Sequence, residues 1–174
     1  MALRWREGSA RSLEGISLGL LLIRMMLGII MMVHGTQKLF GWFEGPGING
    51  TAKFFAQVGY PAPKTMAVVA GLSEGLGGAG IFLGLLTPLA AAALLGTMIN
   101  ALGVTWDRGF LLPQGVEYTL LIALTAAGLA LTGPGVYAVD RFVPGLRPPP
   151  RVAVGVAAIA LACVAGAVFL LIRR

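Results

Sequence analysis

Five apolar segments, each close to the length of a membrane-spanning helix, run through the 174-residue chain. A helix needs roughly 20 consecutive apolar residues to cross the hydrocarbon core of a bilayer. Mean hydropathy is +0.86 and only 11% of the residues are charged, whereas soluble domains carry about 25% charged residues. The pattern therefore excludes a soluble globular domain and a disordered chain, and it predicts an integral membrane protein.

These segments predict an all-α, polytopic membrane bundle. The first four segments form a four-helix core in residues 1–142, and residues 143–174 add a proline-rich linker and one additional C-terminal transmembrane helix. A short amphipathic helix at Thr51–Val58 is expected to lie in the membrane interface. The predicted spans are Ile16–Phe40, Thr65–Leu86, Leu89–Trp106, Gln114–Thr132 and Val152–Ile172.

The basic residues indicate where the protein is located and how it is oriented in the membrane. Although arginines precede the first span, its apolar pattern continues beyond Arg24 without a small-residue cleavage site, so a retained helix is favoured over a signal peptide. The flanking charges then fall six on each side. We predict a cell-membrane protein with a cytoplasmic N-terminus because three arginines precede the first span. The net charge of +6 indicates lipid surfaces, not nucleic acid, as the partner.

Glycines recur on the second span at intervals of four residues. The pairs are Gly71 with Gly75 and Gly80 with Gly84. Small residues at this spacing let helix backbones approach closely within lipid. The sequence therefore predicts close helix packing along this span, and a glycine-lined substrate channel is the weaker alternative.

Polar side chains inside apolar segments are expensive and usually face the interior of a bundle. At ~1.5 Å of rise per residue, Arg24 can reach Glu74, so we expect these two to pair. The other polar residues fall at similar depths near one membrane surface and are expected to cluster there. The six candidate site residues are Arg24, His34, Lys38, Glu74, Asn100 and Glu117.

Structural roles are alternatives for most of these candidates. Arg24 and Glu74 can cancel each other's charge between two helices, and His34 can be a hydrogen-bonded packing residue. Lys38 can extend to the headgroups, and Glu117 can occupy a helix N-terminus, where a carboxylate is favoured. With one histidine and one cysteine, the chain cannot supply bis-histidine haem ligation or a four-cysteine iron–sulfur site. No metal site is predicted.

Several motifs taken together resemble the DoxX-like family of membrane proteins over roughly Leu18 to Arg141. The segment His34–Gly41, HGTQKLFG, is similar to the HG-x-QKLFG segment of that family, and Arg24 stands where the family carries an arginine. The loop pattern F-x-x-x-G-x-P of the family matches Phe55, Gly59 and Pro61, with Phe54 before them. The second-helix pattern E-x-x-GG…LGL-x-T matches Glu74, Gly77, Gly78, Leu83-Gly84-Leu85 and Thr87. The later pattern E…GPG…D matches Glu117, Gly133-Pro134-Gly135 and Asp140.

The resemblance implies a four-helix bundle and a link to redox metabolism. Some relatives are subunits of thiosulfate:quinone oxidoreductases, and others form membrane complexes with oxidative-stress enzymes. On that basis we expect a membrane subunit of a quinone-linked respiratory or redox complex, with quinone as the ligand and a protein partner carrying electrons. The fifth span is an addition to the family pattern, and the resemblance implies no role for it.

Two main hypotheses remain open. In the enzymatic one, His34, Glu74 and Glu117 are catalytic, with His34 exchanging a proton with a quinone oxygen, while Arg24, Lys38 and Asn100 bind the quinone. In the other, the chain is a non-catalytic accessory subunit whose fifth helix packs outside the core and docks a larger respiratory complex. A small-molecule transporter is a weaker alternative, because no inverted repeat is evident.

Overall fold

In the computed structural model the described part of the chain is helical. The structure describes residues 2–111, 113, 115–143 and 152–173, with side chains from residue 13 onward. Two short 3-10 turns, Trp106–Arg108 and Val139–Phe142, follow the fourth and fifth helices. The α-helices are α1 (Ala2–Phe40), α2 (Gly47–Gln57), α3 (Pro63–Leu83), α4 (Thr87–Thr105), α5 (Glu117–Thr132) and α6 (Val152–Leu171).

The predicted helical membrane bundle is confirmed. Four apolar helical segments are long enough to cross a bilayer: Leu13–Phe40, Pro63–Leu83, Thr87–Arg108 and Val152–Leu171. The remaining apolar helix, α5, has 16 residues and is therefore ~24 Å long, shorter than the ~30 Å of a typical hydrocarbon core. It begins at Glu117, three residues later than the sequence predicts.

The interfacial segment is helical as predicted, but α2 begins at Gly47, four residues earlier than expected. Pro46 immediately precedes it, and Gly59 with a positive φ of 86° follows it. Glycine tolerates this left-handed backbone without strain. Residues 144–151 of the predicted proline-rich linker lie outside the described residues.

Helices α1 and α3 run antiparallel in the most extensive helix contact of the bundle. A Cβ atom at Gly35 would lie 2.5 Å from the backbone nitrogen of Gly75, and one at Gly28 would lie 2.8 Å from the carbonyl oxygen of Gly78. Backbones can approach this closely only where side chains are absent. The glycines of the second predicted span therefore pack helices together, as the sequence indicates.

Helix α4 lies at the centre of the bundle and packs against α3, α5 and α6. Its buried Leu94 faces Gly77 of α3, and Ile99 packs at Gly166 of α6. Helix α6 also packs against α5, where Gly155 meets the backbone of Ala130. The C-terminal helix is thus packed against two helices of the core along its length.

Candidate functional site

A cavity of about 350 Å³ lies beside α4, toward the end of the bundle where α1 ends and α3 begins. Residues from α1, α2, α3, α4 and α6 line it, together with Tyr60 from the loop between α2 and α3. Most of its wall is apolar, and two pairs of hydrogen-bonded polar side chains line it. This composition is typical of small-ligand sites, in which a few polar groups orient a ligand held by apolar contacts.

The strongest electrostatic contact at the cavity is the ion pair between Lys38 and Glu74. The Nζ atom of Lys38 donates a hydrogen bond of 2.5 Å to Oε2 of Glu74. The Glu74 side chain is 4% exposed and that of Lys38 is 26% exposed. A buried carboxylate requires a partner because desolvation disfavours its charge, and here Lys38, near the end of α1, is that partner.

A second polar pair lies on another part of the wall. The Tyr60 hydroxyl donates a 2.8 Å hydrogen bond to Oδ1 of Asn100. Asn100 in turn donates through Nδ2 to the carbonyl oxygens of Gly96, at 2.9 Å, and Gly166, at 3.3 Å. Burial raises the pKa of the Tyr60 hydroxyl, and the charge of Arg173 lowers it by a smaller amount. This pair therefore connects the loop before α3 to both α4 and α6.

The expected pairing of Arg24 with Glu74 is wrong. Arg24 is fully buried, and among the described residues its guanidinium donates to backbone carbonyls at the opposite end of α3 and in the loop after α5. Glu74 lies seven residues before Ile81, or ~10 Å along the helix axis. The acceptors are the carbonyl oxygens of Ile81 at 2.9 Å, Phe82 at 3.0 Å, Pro134 at 2.5 Å and Tyr137 at 2.9 Å.

The turn that ends α3 leaves room for the Arg24 guanidinium because it contains a glycine. Gly84, which ends α3, has a positive φ of 66°, and a Cβ atom there would lie 2.6 Å from the Arg24 guanidinium. Asp140 holds the same turn, since its carboxylate accepts a 2.9 Å hydrogen bond from the backbone N–H of Leu86. The motif residues Gly84, Pro134 and Asp140 therefore meet at one structural junction around Arg24.

The other predicted site residues are divided between two places. Lys38, Glu74 and Asn100 line the cavity. His34 is on the side of α1 that meets α5, where Nε2 lies 3.4 Å from the Tyr118 hydroxyl. Glu117 is the first residue of α5 and, like His34 and Arg24, it does not line the cavity. The cavity therefore contains Lys38, Glu74 and Asn100 of the predicted cluster but not His34 or Glu117.

Sequence reasoning missed the contributions of Tyr60 and α6 to the cavity. Tyr60 lies outside every predicted span, and no sequence pattern marks it as a ligand contact. Ala165, Gly166 and Phe169 form the α6 part of the wall, but periodicity alone does not assign a helix face to a ligand. Among the described residues, no group of His, Cys, Asp or Glu could hold a metal ion.

The comparisons with known proteins agree with this architecture. The model of the DoxX family matches residues 19–106. The chain is 35% identical over 130 residues to CatD of Bacillus subtilis, whose name assigns it provisionally to the oxidoreductases; the match covers 75% of this chain and 90% of CatD.

Two further relatives are known as membrane proteins. An uncharacterised membrane protein of Mycobacterium tuberculosis is 32% identical over 68% of this chain and 77% of its own length. The inner membrane protein YphA of Escherichia coli is 29% identical over 70% of this chain and 88% of its own length. No solved structure gives a significant match. The family match, the extent of these alignments and the helical membrane bundle together establish that the chain is a member of the DoxX family of membrane proteins.

Proposed function

We propose that this protein is the membrane subunit of a redox complex and that the cavity beside α4 binds the headgroup of a quinone. The observation that carries the proposal is the composition of the cavity. Two polar pairs, Lys38 with Glu74 and Tyr60 with Asn100, line a cavity whose wall is mostly apolar. A quinone has the matching chemistry, because its carbonyl oxygens need hydrogen bonds while its ring and tail need apolar contacts.

The hydrogen-bonding capacity of each residue defines its role. Lys38 has three N–H donors, of which one is directed to Glu74, so another can donate to a quinone oxygen. Tyr60 uses its proton in the bond to Asn100, and its oxygen can accept a bond from the hydroxyl of a reduced quinone. Glu74 can accept or return a proton near the quinone oxygen to which Lys38 donates.

The electrons in this proposal come from a partner protein. Reduction of a quinone takes up two electrons and two protons, and the single histidine and single cysteine of the chain offer few redox ligands of their own. A subunit role supplies the electrons while this chain supplies the binding site. The provisional naming of CatD as an oxidoreductase supports the same class of function.

Direct binding to the purified protein tests the proposal. The full chain is reconstituted in phosphatidylcholine nanodiscs, and binding of a ubiquinone analogue with one isoprenoid unit is measured by equilibrium titration. We expect saturable binding by the wild-type protein and at least about tenfold weaker binding by a Lys38→Met/Glu74→Gln variant, because a charge-assisted hydrogen bond is lost. The double substitution avoids leaving one buried charge without its partner.

Lys53→Met is the matched control, since Lys53 is an exposed lysine on α2 and does not line the cavity. It is expected to bind as the wild type does. Absence of saturable binding, or equal binding by the double variant and the control, would overturn the proposed function.

A further inference from the structure

The cavity has an open side, and the helices around it indicate which way that side faces. With 3.6 residues per turn, Ala93, Thr97 and Asn100 share one face of α4 and line the cavity. Ala91, Leu95 and Met98 are buried on the opposite face. The cavity therefore lies on the side of α4 turned away from the interior of the bundle.

Two helices flank this face. Helix α3 packs on α4 where Gly77 and Gly80 meet Leu94 and Ala90, and α6 packs on α4 from the other side at Ile99. Among the described residues, α3 and α6 make no extensive contact with each other. The cavity is thus a groove whose floor is α4 and whose walls are α3 and α6, and Phe54, Phe55 and Tyr60 also line it.

From this arrangement we infer that the ligand enters sideways from the bilayer between α3 and α6, and that α6 determines which lipid tail the site accepts. The inference rests on the proposed function, since it assigns the polar end of the groove to a quinone headgroup. The occupant is then a lipid-soluble quinone whose tail leaves the headgroup region along the small residues of α4 and passes between the two walls.

The α3 wall and the α6 wall contribute different side chains to the groove. On α3, the polar Ser73 and the 39% exposed Val69 line the groove, whereas α6 contributes Ala165 and the aromatic ring of Phe169. Small Ala165 leaves the space that a tail requires, and Phe169 supplies a large apolar surface to it. Lipid tails are as apolar as the groove itself, so shape, more than hydrophobicity, selects the tail.

Asn100 connects this selection to the headgroup. Its amide donates to the Gly166 carbonyl oxygen of α6 while its carbonyl oxygen accepts from Tyr60. Gly166 also lies against Ile99, where an added Cβ atom would meet the Ile99 side chain at 2.7 Å. The α6 wall therefore has a fixed position relative to the polar end of the groove. Helix α6 lies outside residues 19–106, which the family model matches, so tail selection would be a property of this chain's own C-terminal helix.

The test uses two probes with the same benzoquinone headgroup, one without a tail and one with a tail of two isoprenoid units ending in a diazirine. Both are titrated against the full-length protein in phosphatidylcholine nanodiscs, and photo-cross-linked peptides are mapped by mass spectrometry. We expect the wild-type protein to bind both probes and to be cross-linked on α3 and α6.

An Ala165→Trp variant fills the groove and is expected to weaken binding of the tailed probe about tenfold more than binding of the tailless probe, because the added ring occupies the space of the tail. Val164→Trp is the matched control because Val164 is 62% exposed on the adjacent face of α6, and it should bind both probes as the wild type does. A Phe169→Ala variant is a second test. Loss of the aromatic ring is expected to lower the share of photo-cross-links that form on α6.

The outcomes separate the two proposals. If neither probe binds the wild-type protein, the proposed function fails, and the inference fails with it. If the headgroup binds but the tail cross-links to α1 or α5, or if Ala165→Trp and Val164→Trp bind the tailed probe equally, the inference alone is overturned. If Ala165→Trp does not fold, an unchanged cross-link distribution in Phe169→Ala overturns it.

Discussion

Lys38 near the end of α1 and Glu74 in the middle of α3 form an ion pair of 2.5 Å whose two members differ in their access to water. The carboxylate is enclosed and the ammonium is partly exposed at the cavity. Both backbones are held in register by the close approach of Gly35 to Gly75. The position of the charge pair is therefore a consequence of glycine packing one to three residues away along the same helices.

The two single substitutions of this pair should have unequal effects on stability. Lys38→Met leaves a buried carboxylate without a partner, whereas Glu74→Gln leaves an ammonium that can reach water. Removing one partner of a buried pair costs about 3–5 kcal/mol, and partial exposure of Lys38 puts Glu74→Gln below this range. Unfolding by SDS titration in mixed micelles measures both variants. Equal losses, or a greater loss in Glu74→Gln, would contradict the asymmetry.

Arg24→Lys should destabilise the protein without weakening ligand binding by the folded fraction. Lysine cannot reproduce the planar set of donors of arginine, so some of the four carbonyls would lose their hydrogen bonds at on the order of 1–3 kcal/mol each. The free energy of unfolding and the affinity for the tailless benzoquinone probe are measured on the same preparation. A loss of affinity with unchanged stability would restore Arg24 as a ligand-binding residue.

His34→Gln should leave quinone binding unchanged, because His34 contacts Tyr118 and does not line the cavity. The contact with the hydroxyl is long, so we expect a loss of stability of about 1 kcal/mol or less. Titration with the same probe measures the affinity, with Lys38→Met/Glu74→Gln as the positive control. Weakened binding in His34→Gln would support the catalytic role that the sequence suggests for this histidine.

Gly35→Ala should separate α1 from α3. The added Cβ atom would meet the Gly75 backbone at 2.5 Å, and overpacking of this kind costs about 1–3 kcal/mol. Gly19→Ala on the same helix is the matched control, since nothing lies within 4 Å of its Cβ position. SDS unfolding of both variants should show a loss only for Gly35→Ala. Similar curves for the two variants would argue against the close approach.

Tyr60→Phe should reduce the sensitivity of the protein to alkaline pH. Because the pKa of Tyr60 is raised in the folded protein, its contribution to stability is fully present below about pH 10, the ordinary tyrosine value, and is lost as the pH rises through the folded pKa. At neutral pH the free energy of unfolding of the variant should be lower by about 1 kcal/mol, because the hydrogen bond to Asn100 is absent. Between pH 8 and 11 the free energy of unfolding should therefore fall less steeply for Tyr60→Phe than for the wild type.

The helices and much of the polar depth pattern could be predicted from the sequence, because bilayer thickness and the cost of buried charge constrain both. Lys38, Glu74 and Asn100, which are expected at similar depths, line one cavity. The acceptors of Arg24 could not be predicted, since they are backbone carbonyls that have no sequence signature. Nor could the position of His34 outside the cavity be predicted, because equal depth does not decide which side of a helix faces which neighbour.

The contacts of Arg24 also have a consequence for the order in which the protein is assembled. Two of its acceptors, Pro134 and Tyr137, follow it by 110 and 113 residues. During synthesis the ribosome delivers α1 and α3 to the membrane long before those carbonyls exist, so the guanidinium initially has only half of its final hydrogen bonds. A charge so placed in lipid is costly until it is satisfied. The full set of hydrogen bonds to Arg24 therefore forms only after α5 and the loop that follows it have been synthesised, so completion of this junction is a late step in assembly.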